Sequence, residues 1–255
     1  MKTELPQYTP AMDRLYSFLM EEEDARVCKD IPEEACTDVP GNFFKIGTTQ
    51  TLTSLADELA NAKTVLPWLL TSLGAPPSLT GFLVPVRESG SLLPQLVIAS
   101  AVRSRPKRKE VWILGAFIQA LALVGMALTA FTLRGWAAGL SVLGLLVLFS
   151  LARGLVSVAS KDVVGKTIPK TRRGRLSGFT TSVAGALTLA LGGLLAALVR
   201  DDPSSTVLAV VLGGGAVLWL GAIAVFSRVK ESPGATSGGK DALKEAVERL
   251  KLLKT

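Results

Sequence analysis

Long apolar runs separated by short basic loops fill the chain from about residue 79 to residue 226. A helix that crosses a bilayer needs about 18 or more mostly apolar residues to match the hydrocarbon thickness. Four stretches meet this requirement clearly: 111–133, 136–160, 176–199 and 207–226. Two further stretches carry charges: 52–75 contains Asp57, Glu58 and Lys63, and 78–102 contains Arg87 and Glu88. The sequence therefore predicts an all-α integral membrane protein with a bundle of six transmembrane helices.

Composition supports this class and argues against others. The 255 residues are 49% hydrophobic and 19% charged, which is more apolar than a soluble domain requires. The net charge of +7 could suggest nucleic acid, but the Lys and Arg residues lie between the apolar runs. We therefore expect the lipid bilayer as a partner and no nucleic acid.

The sequence lacks the residue combinations that are typical of catalytic and metal sites. The chain has no histidine and no paired carboxylates beside a nucleophile, so we expect no enzyme activity, no metal site and no cofactor. Cys28 and Cys36 precede the apolar runs, in a segment predicted to be cytoplasmic, where thiols are usually reduced.

The loops between the runs differ in charge, which predicts orientation. The loop after the second run holds five basic residues and the loop after the fourth holds six, whereas the other three loops hold two in all. The five are Arg103, Arg105, Lys107, Arg108 and Lys109; the six are Lys161, Lys166, Lys170, Arg172, Arg173 and Arg175. Because basic loops stay on the cytoplasmic side, both termini should be cytoplasmic, and the protein should be a multi-pass protein of the inner (plasma) membrane of the cell.

Three regions follow from these patterns. Residues 1–51 form an acidic cytoplasmic leader, whose helical pattern is interrupted at Pro32 and at Pro40 to Gly41. Residues 52–228 form the bundle, and residues 229–255 form a cytoplasmic linker and an amphipathic helix. Gly178, Gly185 and Gly192 recur every seven residues in the fifth run, which predicts close helix packing.

Charges within the runs are the candidate functional residues, because each costs about 2.5–3.5 kcal/mol to insert without a partner or an aqueous cavity. Arg87 and Glu88 point about 100° apart on a helix, so at least one should face another helix or water. Glu58 and Arg153 fall at similar depths, so Asp57 or Glu58 could pair with Arg153. Such a carboxylate could be a proton site or half of a structural ion pair.

A known motif lies beside these charges. The form G-x-x-x-[DN]-R-x-G-[RK]-[RK] follows the second span in the major facilitator superfamily, and residues 101–109 match it at Arg105, Arg108 and Lys109. Ser104 stands where the acid should be and Lys107 where the glycine should be. With the segment from residue 153 to 174 and the six spans, the chain resembles the N-terminal six-helix half of a permease of this superfamily.

The resemblance implies a secondary active transporter that moves a small solute by alternating access. The candidates for substrate or proton contact are Asp57, Glu58, Arg87, Glu88 and Arg153, and the loop with Arg105, Arg108 and Lys109 would brace a cytoplasmic gate that lacks its usual acid. An arginine at the midplane favours an anionic or zwitterionic solute. A complete permease has two such halves, so the chain should pair with a second six-helix half or a second copy of itself. The alternative is a non-transporting membrane scaffold or partner-binding subunit.

Overall fold

The computed structural model describes residues 31, 36–92, 98–99, 102, 105–198 and 204–234. Within these ranges the secondary structure is helical and contains no strand, as predicted for an all-α protein. The helices are α1 (Val39–Leu59), α2 (Val65–Ser72), α3 (Pro77–Thr80), α4 (Leu83–Leu92), α5 (Lys109–Thr132), α6 (Gly135–Thr167), α7 (Lys170–Leu198) and α8 (Ser205–Phe226).

Four of the described helices, α5 to α8, are long and apolar enough to cross a membrane. They coincide with the four clear apolar runs, so those predictions are confirmed as helices. Helix α6 is longer than its run: its 33 residues extend about 50 Å, whereas the hydrocarbon core is about 30 Å thick. Its last turns therefore extend beyond the apolar segment and include Lys161 and Lys166, two residues of the predicted basic loop.

The first predicted span has different bounds in the structure. Helix α1 begins at Val39, inside the predicted leader, and ends at Leu59, and a turn over 60–64 separates it from α2. Pro40 lies in the first turn of α1, where a helix needs no N–H donor, so it starts this helix and does not break one. Asn61 holds the turn, because its side-chain oxygen accepts a hydrogen bond from the Lys63 N–H at 2.8 Å.

Other predicted segments fall partly or wholly outside the described residues. The run 78–102 corresponds to α3, α4 and a few further described positions. The amphipathic helix predicted near the C-terminus and the first 30 residues of the leader lie outside the described residues. Cys36 is disulfide-bonded, so the expectation of a reduced thiol there was wrong.

Packing divides the helices into two groups. Helix α1 packs against α7 and α8, α4 packs against α6, and α5 contacts both α6 and α8. Aromatic rings pack between the helices: Trp112 stacks on Phe226 with ring centroids 4.0 Å apart, and Trp219 meets Phe149 edge-on. Direct contact between α1 and α6 is slight. The charged side chains described below are therefore an important link between these two helices.

The glycines of α7 do not pack as predicted. An added Cβ at Gly178, Gly185 or Gly192 would meet nothing within 4 Å in the described part of the chain. By contrast, a Cβ at Gly115 would lie 2.9 Å from Val156 Cγ2, so α5 and α6 do approach closely. The seven-residue glycine pattern of α7 therefore faces open space.

Candidate functional site

Asp57, on the last turn of α1, lies between two arginines. Its Oδ1 accepts a hydrogen bond from Arg87 Nη2 at 3.2 Å, and its Oδ2 accepts one from Arg153 Nη1. The Asp57 and Arg87 side chains are only 20% and 13% exposed, whereas that of Arg153 is 39% exposed. One carboxylate therefore joins α1 to both α4 and α6, and it faces two positive charges.

The break after α1 fixes this arrangement. Where a helix is interrupted, the last carbonyls lose their helical partners and must find others. Arg87 Nη1 donates to the Ala60 carbonyl oxygen at 3.1 Å, and the Arg87 guanidinium lies 5.1 Å from the centre of the Phe149 ring. The same guanidinium thus supplies a hydrogen-bond donor to a carbonyl at the helix break and also binds Asp57.

The site lies near the middle of the bundle, measured along the helices. A Cβ added at Gly215 would lie 3.4 Å from Leu59 Cβ, and Gly215 is at the middle of α8. Arg153 likewise lies near the middle of α6. Because α1 starts 13 residues before the predicted span, at Val39 and not at Leu52, the acidic side chains lie farther from the start of their helix than the sequence suggested.

All five candidate residues line one cavity of about 240 Å³. Of the two acids allowed as partners for Arg153, Asp57 forms the pair, while Glu58 accepts a hydrogen bond from Asn61 Nδ2 at 3.2 Å. Arg87 turns toward α1, and Glu88, the next residue, also borders the cavity. The structure therefore brings together residues that are 30 and 96 positions apart in sequence.

A larger cavity of about 580 Å³ shares Asp57 and Arg153 and lies between α1, α6 and α7. Hydroxyl side chains dominate its polar lining: Thr49, Thr53 and Ser54 on α1, Ser157 and Ser160 on α6, and Thr180, Thr181 and Thr188 on α7. Sequence reasoning missed them. Their signal was present, because Thr49, Thr53 and Asp57 follow each other at four-residue steps and share one helix face.

Two buried polar atoms at this larger cavity have no hydrogen-bond partner among the described residues. They are Thr180 Oγ1 and Trp219 Nε1, on side chains of residues that are 5% and 1% exposed. Most buried polar groups are hydrogen-bonded, so unpaired ones in a cavity wall call for an explanation. Both atoms are shielded from the cavity by neighbouring groups, and Thr180 Oγ1 faces Gly47 on α1.

The predicted gate loop forms a second polar cluster, at the start of α5. Glu231, whose side chain is fully buried, accepts hydrogen bonds from the Arg108 N–H at 3.0 Å and the Lys109 N–H at 2.8 Å. Lys166 Nζ donates to the same carboxylate at 2.9 Å. A buried acid at a helix N-terminus satisfies unpaired donors and complements the helix dipole.

The three predicted loop residues have different environments. Arg108 is mostly buried and pairs with Asp162 at 3.6 Å, Lys109 Nζ donates to the Ser227 and Val229 carbonyl oxygens, and Arg105 is exposed. Acids from α6 and from the segment after α8 thus contact a loop that has Ser104 at the motif's acidic position. Glu231 was missed, although it was the first acid to follow the last apolar run.

Comparison with known proteins gives one match. No curated protein and no solved structure matches the chain. The family model described as Major Facilitator Superfamily matches residues 50–255, which is most of the chain and includes all eight residues predicted from the sequence for the site and the gate loop. The chain therefore belongs to the Major Facilitator Superfamily, a family of membrane transporters.

Proposed function

We propose that the chain is one half of a secondary active transporter, which moves a small solute across the inner membrane by alternating access. The observation that carries this proposal is the Asp57 carboxylate, held between two arginines at a helix break near the middle of the bundle. Transporters of several folds bind substrates and coupling ions at such broken helices, near the bilayer midplane. Six spans with both termini in the cytoplasm fit the charges of the loops.

The mechanism depends on the weak direct contact between α1 and α6. The Asp57–Arg153 pair draws these two helices together, and it borders both cavities. Protonation of Asp57, or a solute that binds Arg153, removes part of this attraction. The helices are then free to separate on one side of the membrane, which couples binding to a change in access.

The cytoplasmic cluster at Glu231 would hold that side of the bundle. Asn42 and Lys230 add to it, because the Asn42 side chain exchanges two hydrogen bonds with the Lys230 backbone, at 2.9 and 3.0 Å. The start of α1 is thereby tied to the end of α8. Movement between α1 and α6 can then be concentrated around Asp57.

A second six-helix bundle completes the permease in this proposal. Among the described residues nothing packs against Gly178, Gly185 or Gly192 of α7, and small residues allow another helix to approach closely within a membrane. The partner would be either a matching half or a second copy of the chain. Charged cavity residues would otherwise face lipid, which is costly.

Solute exchange by reconstituted vesicles tests this function without knowledge of the substrate. Vesicles containing the full chain, with or without a co-expressed six-helix partner, are loaded with a small-molecule cell extract, and the solutes that leave are identified by mass spectrometry. We expect selective loss of one class of solute, which Asp57→Asn abolishes. Glu110→Gln, a change at an exposed acid on α5, serves as control. No selective loss under either condition would favour a scaffold.

A further inference from the structure

The larger cavity has its positive groups on one wall and hydroxyl groups on every polar wall, and this suggests what it binds. Its volume of about 580 Å³ lies within the range of about 300–1,000 Å³ that is typical of small-molecule sites. The positive groups lie on α6 beside Ser157 and Ser160, and further hydroxyl groups line α1 and α7. The class of ligand follows from what each wall offers.

The α6 wall offers donors with positive charge. Arg153 uses Nη1 to bind Asp57, and a guanidinium has five N–H donors, so further donors are available at a side chain that is 39% exposed. Lys161 lines the same wall, two turns further along α6. Asp57 borders the cavity too, but Arg87 also binds it, so positive charge is in excess. Glu58 and Glu88 line the smaller cavity and not this one.

The α1 wall offers acceptors. The hydroxyls of Thr49, Thr53 and Ser54 each donate to a carbonyl oxygen of their own helix, at 2.8, 3.0 and 2.8 Å. A hydroxyl that has donated its hydrogen still presents lone pairs to a neighbour. These three oxygens therefore suit a ligand that carries several O–H donors.

The wall of the cavity also includes an aromatic surface. Trp112, Trp219 and Phe226 line it, and Trp219 Nε1 and Thr180 Oγ1 lack partners among the described residues. Both atoms are shielded from the cavity, so the choice of ligand class rests on the charged and hydroxyl groups of the other walls.

We infer that the solute is a hydroxylated organic anion, such as a sugar acid, with its anionic group at Arg153 and Lys161 and its hydroxyls along α1. This inference rests on the proposed function, because it names the solute of the same site. It excludes two simpler classes: neutral polyols, which leave the positive charge unmatched, and apolar anions, which leave the hydroxyl-lined wall unmatched.

Three six-carbon probes test the inference on the purified full chain, both alone and with its co-expressed six-helix partner. D-gluconate carries both features, D-sorbitol carries hydroxyls without charge, and hexanoate carries charge without hydroxyls. Binding is measured by thermal stabilisation and by calorimetry. We expect gluconate to bind at least about tenfold more tightly than either of the others, since each lost class of contact costs about one hydrogen bond to a charged group or more.

Matched variants locate the site. The double change Thr49→Val and Thr53→Val should weaken gluconate binding about tenfold, whereas Thr51→Val should not, because Thr51 makes the same kind of bond to its own helix outside the cavity. Lys161→Gln should weaken gluconate binding and leave sorbitol unaffected. Lys107→Gln, in the exposed loop, is its control.

Each outcome is decisive. Equal binding of sorbitol and gluconate overturns the anionic part, equal binding of hexanoate overturns the hydroxyl part, and no binding of gluconate overturns the whole inference. The vesicle exchange experiment separates these failures from failure of the proposed function. If the vesicles exchange a solute of another class, the proposed transport function stands and only this ligand class is rejected. If gluconate binds but no solute is exchanged, the ligand class stands and the proposed transport function is rejected.

Discussion

Arg87 Nη2 donates a hydrogen bond to Asp57 Oδ1 at 3.2 Å, at the place where the first helix is interrupted. The same guanidinium also caps the free Ala60 carbonyl, so the ion pair and the helix break depend on each other. Arg153 binds the other carboxylate oxygen from the opposite side. The Arg87 side chain is 13% exposed and that of Arg153 is 39% exposed, which leads to distinct expectations for each residue.

Removal of Asp57 should be more damaging than removal of Arg153. Asp57→Ala leaves two guanidinium groups without their counter-charge, and breaking a buried pair in this way costs about 3–5 kcal/mol. Arg153→Ala leaves Asp57 paired with Arg87, and Arg153 is 39% exposed, so we expect a loss of about 1 kcal/mol or less. Thermal unfolding in detergent measures both.

Two further variants make the comparison sharper. Glu58→Gln should change the unfolding temperature little, because Glu58 binds Asn61 and not an arginine. The double change Asp57→Ala and Arg153→Ala should recover part of the loss caused by Asp57→Ala. A larger loss for Arg153→Ala than for Asp57→Ala would show that Arg87 does not hold the carboxylate.

Arg87→Lys should destabilise the protein although charge is kept. A lysine has no planar fork, so it cannot donate to Asp57 and to Ala60 in the same way, and it stacks less well on Phe149. We expect a loss of about 1–2 kcal/mol in unfolding experiments. The reverse exchange at a neighbour, Lys63→Arg, is the control, because Lys63 lines the same cavity with an exposed side chain. Equal losses of stability from the two changes would argue against a specific role of the planar Arg87 guanidinium.

Glu231→Gln should loosen the cytoplasmic end of the bundle. The change removes the negative charge that faces Lys166 and the N-terminus of α5, so hydrogen exchange should rise at residues 105–109 and 227–234. Glu110→Gln, in the first turn of α5 but exposed, should leave exchange unaltered. If exchange stays slow in Glu231→Gln, the backbone contacts alone hold this segment.

Topology can be tested with single cysteines, after Cys28 and Cys36 have been replaced by Ser. Cysteines at positions 104 and 171 should react only with membrane-permeant reagents in intact cells, because both positions lie among the basic residues predicted to be cytoplasmic. Cysteines at positions 78 and 204 should react from outside. External labelling at position 104 would be incompatible with six spans.

The sequence was informative where apolarity alone decides structure. Helices α5 to α8 could be predicted from apolar runs because lipid requires continuous helices of that length. The start of helix α1 could not be predicted in this way. Its polar residues, such as Asn42 and Thr49, are buried against neighbouring helices, but in the sequence they resemble the polar leader. Its break after Leu59 was also invisible, because Arg87, far along the chain, is what satisfies it.

The candidate site could be predicted in part for a related reason. A charge in an apolar run is conspicuous, so Asp57, Arg87 and Arg153 were identified without a structure. Which acid would pair with Arg153 depended on helix rotation, which depth alone does not give. The hydroxyls of the larger cavity were missed because serine and threonine are tolerated in membrane helices and do not stand out.

Alternating access at the Asp57 site is tested most directly by a cysteine at Ser54, which lines both cavities one turn before Asp57. The full chain is expressed in cells with both its native cysteines replaced, and membrane-impermeant reagents are applied to intact cells and to inside-out vesicles. We predict labelling from both sides, at rates that change in opposite directions when the transported solute class is added. Labelling from one side only, at a rate that no solute alters, would contradict the account.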